Sequence, residues 1–386
     1  MTRSVRSGLE VLLADGSTLL AGKRIGLVTN PTGVDGRLRS AVDLLRSNGR
    51  MQLVALFAPE HGIRGEAQAG APIADTVDQH SGLPVHSLYG ATRKPTPAAL
   101  AELDAIVFDI QDVGARFATY ISTLALVLEA AADVGTLAVV LDRPNPLNGV
   151  DVEGGSLAEG FASFVGMYAA PIRHGLTMGE LARLFAVERG LPRPTIVAME
   201  GWKRELWFDE TGLPWVQPSP NLPTLDAVTL YPGTCLVEGT SVSEGRGTTR
   251  PFELVGAPWI DPFALAEDLG ARRIPGVRFR PVYFTPTFSK HAGVSCGGVQ
   301  VHVVDRLALR PVALGLHLLV ALRSQDPRSF SWRQNSDGRY VIDLLYGTDR
   351  LRRSMEEGLS ASDLAAASAA EIADFERRRA DVLLYR

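Results

Sequence analysis

The chain has 386 residues, 46% hydrophobic and 21% charged, a composition that excludes intrinsic disorder and a length that suits two domains. A formal net charge of -4 offers no concentrated basic face for nucleic acid, and no apolar run is long enough to span a bilayer. Two cysteines, Cys235 and Cys296, cannot make a disulfide framework in a chain of this size, so reduced thiols are expected.

The start, Met-Thr-Arg-Ser-Val-Arg-Ser-Gly, is basic, but Glu10, Asp15 and Gly16 interrupt the apolar run behind it. That pattern does not read as a signal peptide, so the chain as given is expected in the cytoplasm. Four Val/Ile/Leu-rich runs follow, each ending in a polar cluster. Ile25–Thr29 leads into Asn30-Pro31-Thr32-Gly33, and Leu53–Ala58 into Pro59-Glu60-His61-Gly62-Ile63-Arg64-Gly65. Ala105–Ile110 leads into Gln111-Asp112-Val113-Gly114-Ala115-Arg116, and Leu137–Leu141 into Asp142-Arg143-Pro144-Asn145-Pro146. Continuous apolar runs alternating with helical patterns predict a parallel sheet covered on both faces, with ligands outside the carboxyl ends of its strands.

Between the first two strands, Leu38, Val42, Leu44 and Leu45 fit one helix face that Gly49 closes. Residues 66–94 read as a long loop over the functional end of the sheet, and Thr96-Pro97 as a helix start. Tyr120–Val134 predicts a helix ending at Gly135, and Thr177-Met178-Gly179-Glu180 a capping box opening another. Val228–Tyr231 suggests a last strand of the first domain, and residues 232–260 have no helical period. Beyond them Val277–Phe284 and Val299–Val304 read as strands, and Pro311–Arg323 and Glu371–Leu384 as helices. The fold class expected is α/β with a mainly parallel sheet, divided into a domain over 1–229 and a smaller α+β domain over 230–386 that completes a cleft.

Several clusters could carry chemistry. Glu60 sits beside His61 at a strand end, where apolar surroundings would equip a carboxyl group as a general acid. His61 could orient substrate, Glu60 could ligate a metal, or the pair could simply pin its loop. Asp109 and Asp112 flank Gln111 ahead of Arg116, a spacing open to shared catalysis, cation binding or neutralisation by the arginine. Arg143, on a turn stiffened by two prolines, suits a clamp for a carboxylate or a sugar hydroxyl. Glycines around Glu244 and Arg246 let a ligand approach while both side chains project. No P-loop, dinucleotide fingerprint, Gly-x-Ser-x-Gly elbow or His-Glu-x-x-His spacing is present. No cofactor is therefore expected, and the remaining palette of carboxylates, arginines, asparagines and aromatics is that of carbohydrate chemistry.

Longer motifs in order carry a resemblance. Ala58-Pro59-Glu60-His61-Gly62-Ile63-Arg64-Gly65, Asp109-Ile110-Gln111-Asp112-Val113-Gly114-Ala115-Arg116-Phe117 and Asp142-Arg143-Pro144-Asn145-Pro146-Leu147 come first. Pro218-Ser219-Pro220-Asn221, Tyr231-Pro232-Gly233-Thr234, Glu238-Gly239-Thr240, Ser243-Glu244-Gly245-Arg246-Gly247-Thr248-Thr249 and Pro251-Phe252-Glu253 follow. From about Gly22 to the C-terminus the chain resembles the NamZ family of exo-acting β-N-acetylmuramidases. The resemblance implies a Rossmann-like N-terminal domain, a smaller C-terminal domain and a cleft between them. It also implies a glycoside hydrolase releasing N-acetylmuramic acid from the non-reducing end of peptidoglycan fragments, with Glu60 as the favoured catalytic residue. Many members are exported, which leaves localisation open, and Ala118 stands where a bulkier aromatic is expected.

The expected catalytic carboxylates are Glu60 with either Glu244 or Asp112, the second group serving as nucleophile, as base, or as the group that orients the sugar's own 2-acetamido nucleophile. Glu244 is favoured because it would meet Glu60 across the cleft. His61, Arg64, Asp109, Arg116, Arg143, Asn145, Asn221 and Arg246 are expected to bind substrate, with Arg143 or Arg246 reading the lactyl carboxylate. The partners expected are peptidoglycan-derived saccharides and no nucleic acid. Two other readings stay open: a non-catalytic sugar-binding protein, and a metal-dependent hydrolase using Glu60, His61, Asp109 and Asp112.

Overall fold

The four apolar runs form neighbouring strands because their side chains are buried on both faces of one sheet. The computed structural model describes residues 4–15 and 17–386, so Met1, Thr2, Arg3 and Gly16 of the basic start lie outside the described residues. The first half runs α1 (Gly8–Ala14), β1 (Arg24–Thr29), α2 (Ala41–Ser47), β2 (Gln52–Ala58), β3 (Thr76–Val77) and β4 (Pro84–Ser87). It continues with α3 (Pro97–Leu100), β5 (Ala105–Asp109), α4 (Thr119–Val134), β6 (Leu137–Leu141), α5 (Met178–Arg189) and β7 (Thr195–Val197). Sheet order is β3-β4-β2-β1-β5-β6-β7, parallel except for the β3–β4 pair. The chain leaves β1 toward β2 and later returns to its other side at β5, so the strand order reverses at β1. The carboxyl ends flanking that reversal are where an open α/β sheet binds ligands.

The second half comprises α6 (Leu225–Thr234), β8 (Leu254–Ala257), α7 (Pro262–Ala271), β9 (Val277–Phe284), β10 (Cys296–Val303) and α8 (Pro311–Gln325). Four short helices end the chain: α9 (Val341–Tyr346), α10 (Arg350–Glu356), α11 (Ala361–Ala366) and α12 (Ala369–Ala380). Strands β8, β10 and β9 make a separate antiparallel sheet. Val299 and Val301 turn into its core while His302 is exposed, as the alternation predicts. Phe117 and Leu147 from the first half join the apolar core of the second. Phe375 of α12 packs back into the core of the first. Among the described residues no helix is long and apolar enough to cross a membrane.

Local chemistry explains the helix boundaries. The Thr177 side chain accepts the Glu180 amide while the Glu180 carboxylate accepts the Thr177 amide, the reciprocal capping box expected. Thr96 caps α3 with Pro97 in its first turn, and Gly135 ends α4 in the left-handed region. Other segments differ from expectation. Val228–Tyr231 lies inside α6, because a short buried apolar run has the same signature in a strand and in a buried helix. The boundary at 229/230 consequently falls within that helix. Leu38 precedes α2 with φ 62° and is 58% exposed; the helix starts only after the Ser40 cap. The 66–94 segment holds β3 and β4, and the 232–260 segment holds the end of α6, a 3-10 turn over Cys235–Gly239 and β8.

Asp142, just past β6, ties three segments together. Its Oδ1 accepts the Arg143 and Gly179 amides at 3.0 and 2.7 Å, and its Oδ2 accepts the Thr177 and Tyr385 hydroxyls at 2.7 and 2.6 Å. Burial outweighs these bonds and pushes its carboxyl from 3.8 up to about 6. The folded protein therefore holds this proton more tightly than the unfolded chain. The stability it contributes is fully present below the unfolded value of 3.8 and is lost as pH rises to about 6. That difference corresponds to ~3 kcal/mol. Asp142→Asn is expected to flatten the decline in unfolding free energy between pH 4 and pH 7 by an amount of that order. Denaturant midpoints at the two pH values check it, and an unchanged decline would refute the assignment.

Candidate active site

A cavity of about 470 Å³ opens between the two halves. One wall comes from the carboxyl ends of β2, β4 and β5 and the start of α4, with Glu60, His61, Tyr89, Val113, Phe117, Thr119 and Tyr120. Pro218, Ser219, Asn221 and Leu222 edge it. The opposite wall comes from α6, the 3-10 turn and the loops that follow, with Tyr231, Cys235, Glu238, Arg246, Phe252 and Phe288.

Glu60 is held from two sides. Its Oε1 accepts the Gly70 amide at 2.8 Å and its Oε2 accepts the Thr119 hydroxyl at 2.6 Å. Tyr89 lines the same cavity; burial, and then the Glu60 charge, pushes its phenol up to about 12. Tyr120 donates its hydroxyl to the Pro218 carbonyl, and burial followed by the charge of Glu60 raises its pKa. His61 adopts φ 72°, a strained conformation for a side-chain-bearing residue, and Gly62 continues the turn at φ 80°. This turn brings the imidazole to the cavity. His61 Nδ1 donates to the Ala67 carbonyl at 2.8 Å, which fixes the orientation of the ring.

Arg246 lines the same cavity from the second half of the chain. Its Nη1 meets both Glu238 and, at 3.3 Å, Glu244, and its guanidinium lies 5.0 Å from the centroid of Phe252. Burial disfavours the cation, but Glu238 and Glu244 outweigh it and hold Arg246 firmly protonated. Nη2 forms no hydrogen bond among the described residues, so the free side of the guanidinium is open to a ligand. Glu244 does not border the cavity. It is buried behind Arg246, with Lys290 at 2.8 Å. Burial alone would raise its carboxyl, yet Lys290 and Arg246 hold it below the usual carboxylate range. The second carboxylate lining the cavity, beside Glu60, is Glu238, from the other half of the chain. Gly247 permits this packing: at φ 81°, a Cβ there would meet the Phe288 carbonyl oxygen at 2.5 Å.

The other expected residues have different partners. Arg143 is buried and forks onto Asp109 at 2.6 and 2.9 Å, so neither faces the cavity. Arg116 donates to the Gly155, Ala170 and Leu345 carbonyls, and burial lowers it to about 10. Asp112 accepts the Gly114 amide at 2.8 Å and lies 3.3 Å from Nε2 of the buried His174. Asn145 bonds the Leu176 carbonyl and the Leu147 amide. Arg64 grips Asp78 at 2.9 and 2.8 Å beside a second cavity of about 240 Å³. Glu60, His61, Asp109 and Asp112 thus do not converge, and no group of three or more metal-ligating side chains occurs among the described residues.

Asn221 does border the cavity, and its buried Nδ2 has no partner among the described residues. Ala118 borders it too, where a larger ring would fill space. Tyr89, Thr119, Tyr231, Glu238 and Phe288 are among the cavity residues to which the sequence assigns no role. Glu238 was the most accessible of them, because it opens the Glu238-Gly239-Thr240 motif.

The family models described as exo-beta-N-acetylmuramidase NamZ, N-terminal and C-terminal, match residues 25–226 and 229–385. The peptidoglycan beta-N-acetylmuramidase NamZ of Bacillus subtilis (strain 168) is 47% identical over 382 residues, covering 99% of this chain and 91% of that protein. A crystal structure of a DUF1343 family protein from Bacteroides fragilis superposes with a TM-score of 0.91 at 36% identity, covering 99% of each chain. A second protein of that family and organism gives 0.79 at 31% identity, covering 100% of this chain and 99% of the other.

Proposed function

Since this chain belongs to the NamZ family of exo-β-N-acetylmuramidases, we propose that it releases N-acetylmuramic acid from the non-reducing end of peptidoglycan fragments, with Glu60 as general acid. What supports the reading is that a carboxyl group and an arginine with a free edge border one cavity from opposite sides. Glu60 gives its proton to the glycosidic oxygen as the bond to the anomeric carbon breaks. Glu238 is the carboxylate across the cavity. It takes the role of orienting the 2-acetamido group, which attacks the anomeric carbon from the face opposite the leaving oxygen. Water, giving its proton to the Glu60 carboxylate, then breaks the bond to the acetamido oxygen and restores the β-anomer. The decisive assay is incubation with the peptide-free disaccharide of N-acetylmuramic acid β-linked to N-acetylglucosamine. Equimolar release of the two sugars is expected, with the muramic acid appearing first as its β-anomer. No cleavage would overturn the activity, and an α-anomer would overturn the acetamido route.

Arg246 reads the lactyl carboxylate that distinguishes N-acetylmuramic acid from N-acetylglucosamine. Arg143 is committed to Asp109, whereas Arg246 keeps an unbonded edge beside the cavity. Arg246→Lys keeps a cation between Glu238 and Glu244 but loses the planar fork. It is expected to lower kcat/KM on muramic glycosides at least ~10-fold, the worth of one charged hydrogen bond, while hardly affecting the glucosamine analogue. Both glycosides should be assayed in parallel, and full retention of discrimination would transfer the role to another group.

A further inference from the structure

An aromatic step extends from Tyr89, which lines the cavity together with Glu60. The Tyr89 and Phe164 rings stand 5.7 Å apart, and the Arg93 guanidinium lies 4.3 Å from the Phe164 centroid and 5.4 Å from that of Tyr89. Tyr89 joins this step to the site, because it lines the cavity that Glu60 also lines. Arg93 is exposed, and it has no ion pair and no side-chain hydrogen bond among the described residues. Its neighbour Lys94, by contrast, is paired with Asp133 at 2.6 Å.

We propose that Tyr89, Phe164 and Arg93 form the subsite for the departing part of the saccharide, with Arg93 engaging a carboxylate carried by the departing chain. The proposal rests on the glycosidase reading above. A general acid must stand beside the leaving oxygen, so the sugar that departs lies on the Glu60 side and toward solvent. Tyr89 lines the cavity with Glu60, and the exposed Arg93 reaches solvent beyond it. Half-buried aromatic rings present flat apolar faces, which suit the C–H faces of a pyranose. A guanidinium laid over rings keeps its in-plane N–H groups free, and that edge accepts a carboxylate with two parallel bonds. In a glycan strand of alternating N-acetylglucosamine and N-acetylmuramic acid, the second sugar past the scissile bond carries the next lactyl carboxylate. The disaccharide has no such group on its departing sugar, and the tetrasaccharide does.

The test compares kcat/KM on these two peptide-free substrates for the unaltered protein and for Arg93→Met, which keeps the apolar stem over the rings. The unaltered protein is expected to prefer the tetrasaccharide. Arg93→Met should lose about 5-fold on the tetrasaccharide, mainly through KM, as an exposed ion pair is worth. The disaccharide rate should stay within about two-fold of the unaltered rate, as expected where no ion pair is lost. A tetrasaccharide with its carboxylates reduced to alcohols at the departing end should reproduce the loss in the unaltered protein. Phe164→Ala should weaken both substrates. Equal losses on both substrates in Arg93→Met, or no preference in the unaltered protein, would overturn the subsite. Failure to cleave the disaccharide at all would overturn the glycosidase reading instead.

Discussion

Glu60→Gln is expected to lower turnover by at least ~100-fold, the usual worth of general acid catalysis, in a protein that remains folded. The substitution is nearly isosteric. The retained oxygen can still accept the Gly70 amide, now at 2.8 Å from Oε1, and the new amide can donate to the Thr119 hydroxyl after that hydroxyl rotates. What disappears is the proton deliverable to the departing oxygen. Turnover of the disaccharide, alongside circular dichroism and a thermal melt, separates a chemical defect from a folding one. Near-normal turnover in a correctly folded variant would remove Glu60 from the reaction.

Arg143→Met is expected to cost about 3–5 kcal/mol of unfolding free energy, because it leaves the Asp109 carboxylate buried with its cation gone. Asp109 is fully buried at the end of β5 and its two oxygens are met by Arg143 at 2.6 and 2.9 Å; Arg143 also donates to the Val34 carbonyl at 3.0 Å. The pair therefore locks the loops after β1, β5 and β6 together beneath the site. Replacing both members with apolar residues, as in Asp109→Leu with Arg143→Met, should recover much of the loss, since a satisfied apolar pair avoids the uncompensated charge. Urea unfolding of the unaltered protein and the two variants measures it. If Arg143→Met melted like the unaltered protein but lost sugar discrimination, the arginine would be a substrate ligand after all.

Both predictions turn on the same distinction. Glu60 and Arg143 each follow an apolar strand and each stand in a polar cluster, so local sequence ranks them alike. In the folded chain one carboxyl group borders a cavity, and the arginine is consumed by an aspartate from the neighbouring strand. Glu244, the favoured second carboxylate, lies off the cavity for a related reason. Flanking glycines indicated that Glu244 could project, but not in which direction, and it turns inward to Lys290 while Glu238 meets the cavity.

The amino-acid sequence by itself determined the parallel strands, the capped helix starts, the residues around Glu60 and Arg246, and the family. Each of these depends on pattern within a short window: two-sided burial of a run, a threonine three residues before a glutamate, a long motif in order. Tertiary structure alone decided which charged groups remain available to a ligand. Arg143 finds Asp109 across 34 positions, Arg116 finds the Leu345 carbonyl across 229, and Tyr385 finds Asp142 across 243. A buried charge must be met by whatever the fold brings beside it, and that neighbour is set by strand order and by the return of the C-terminal helix. Spacing along the chain carries no record of either.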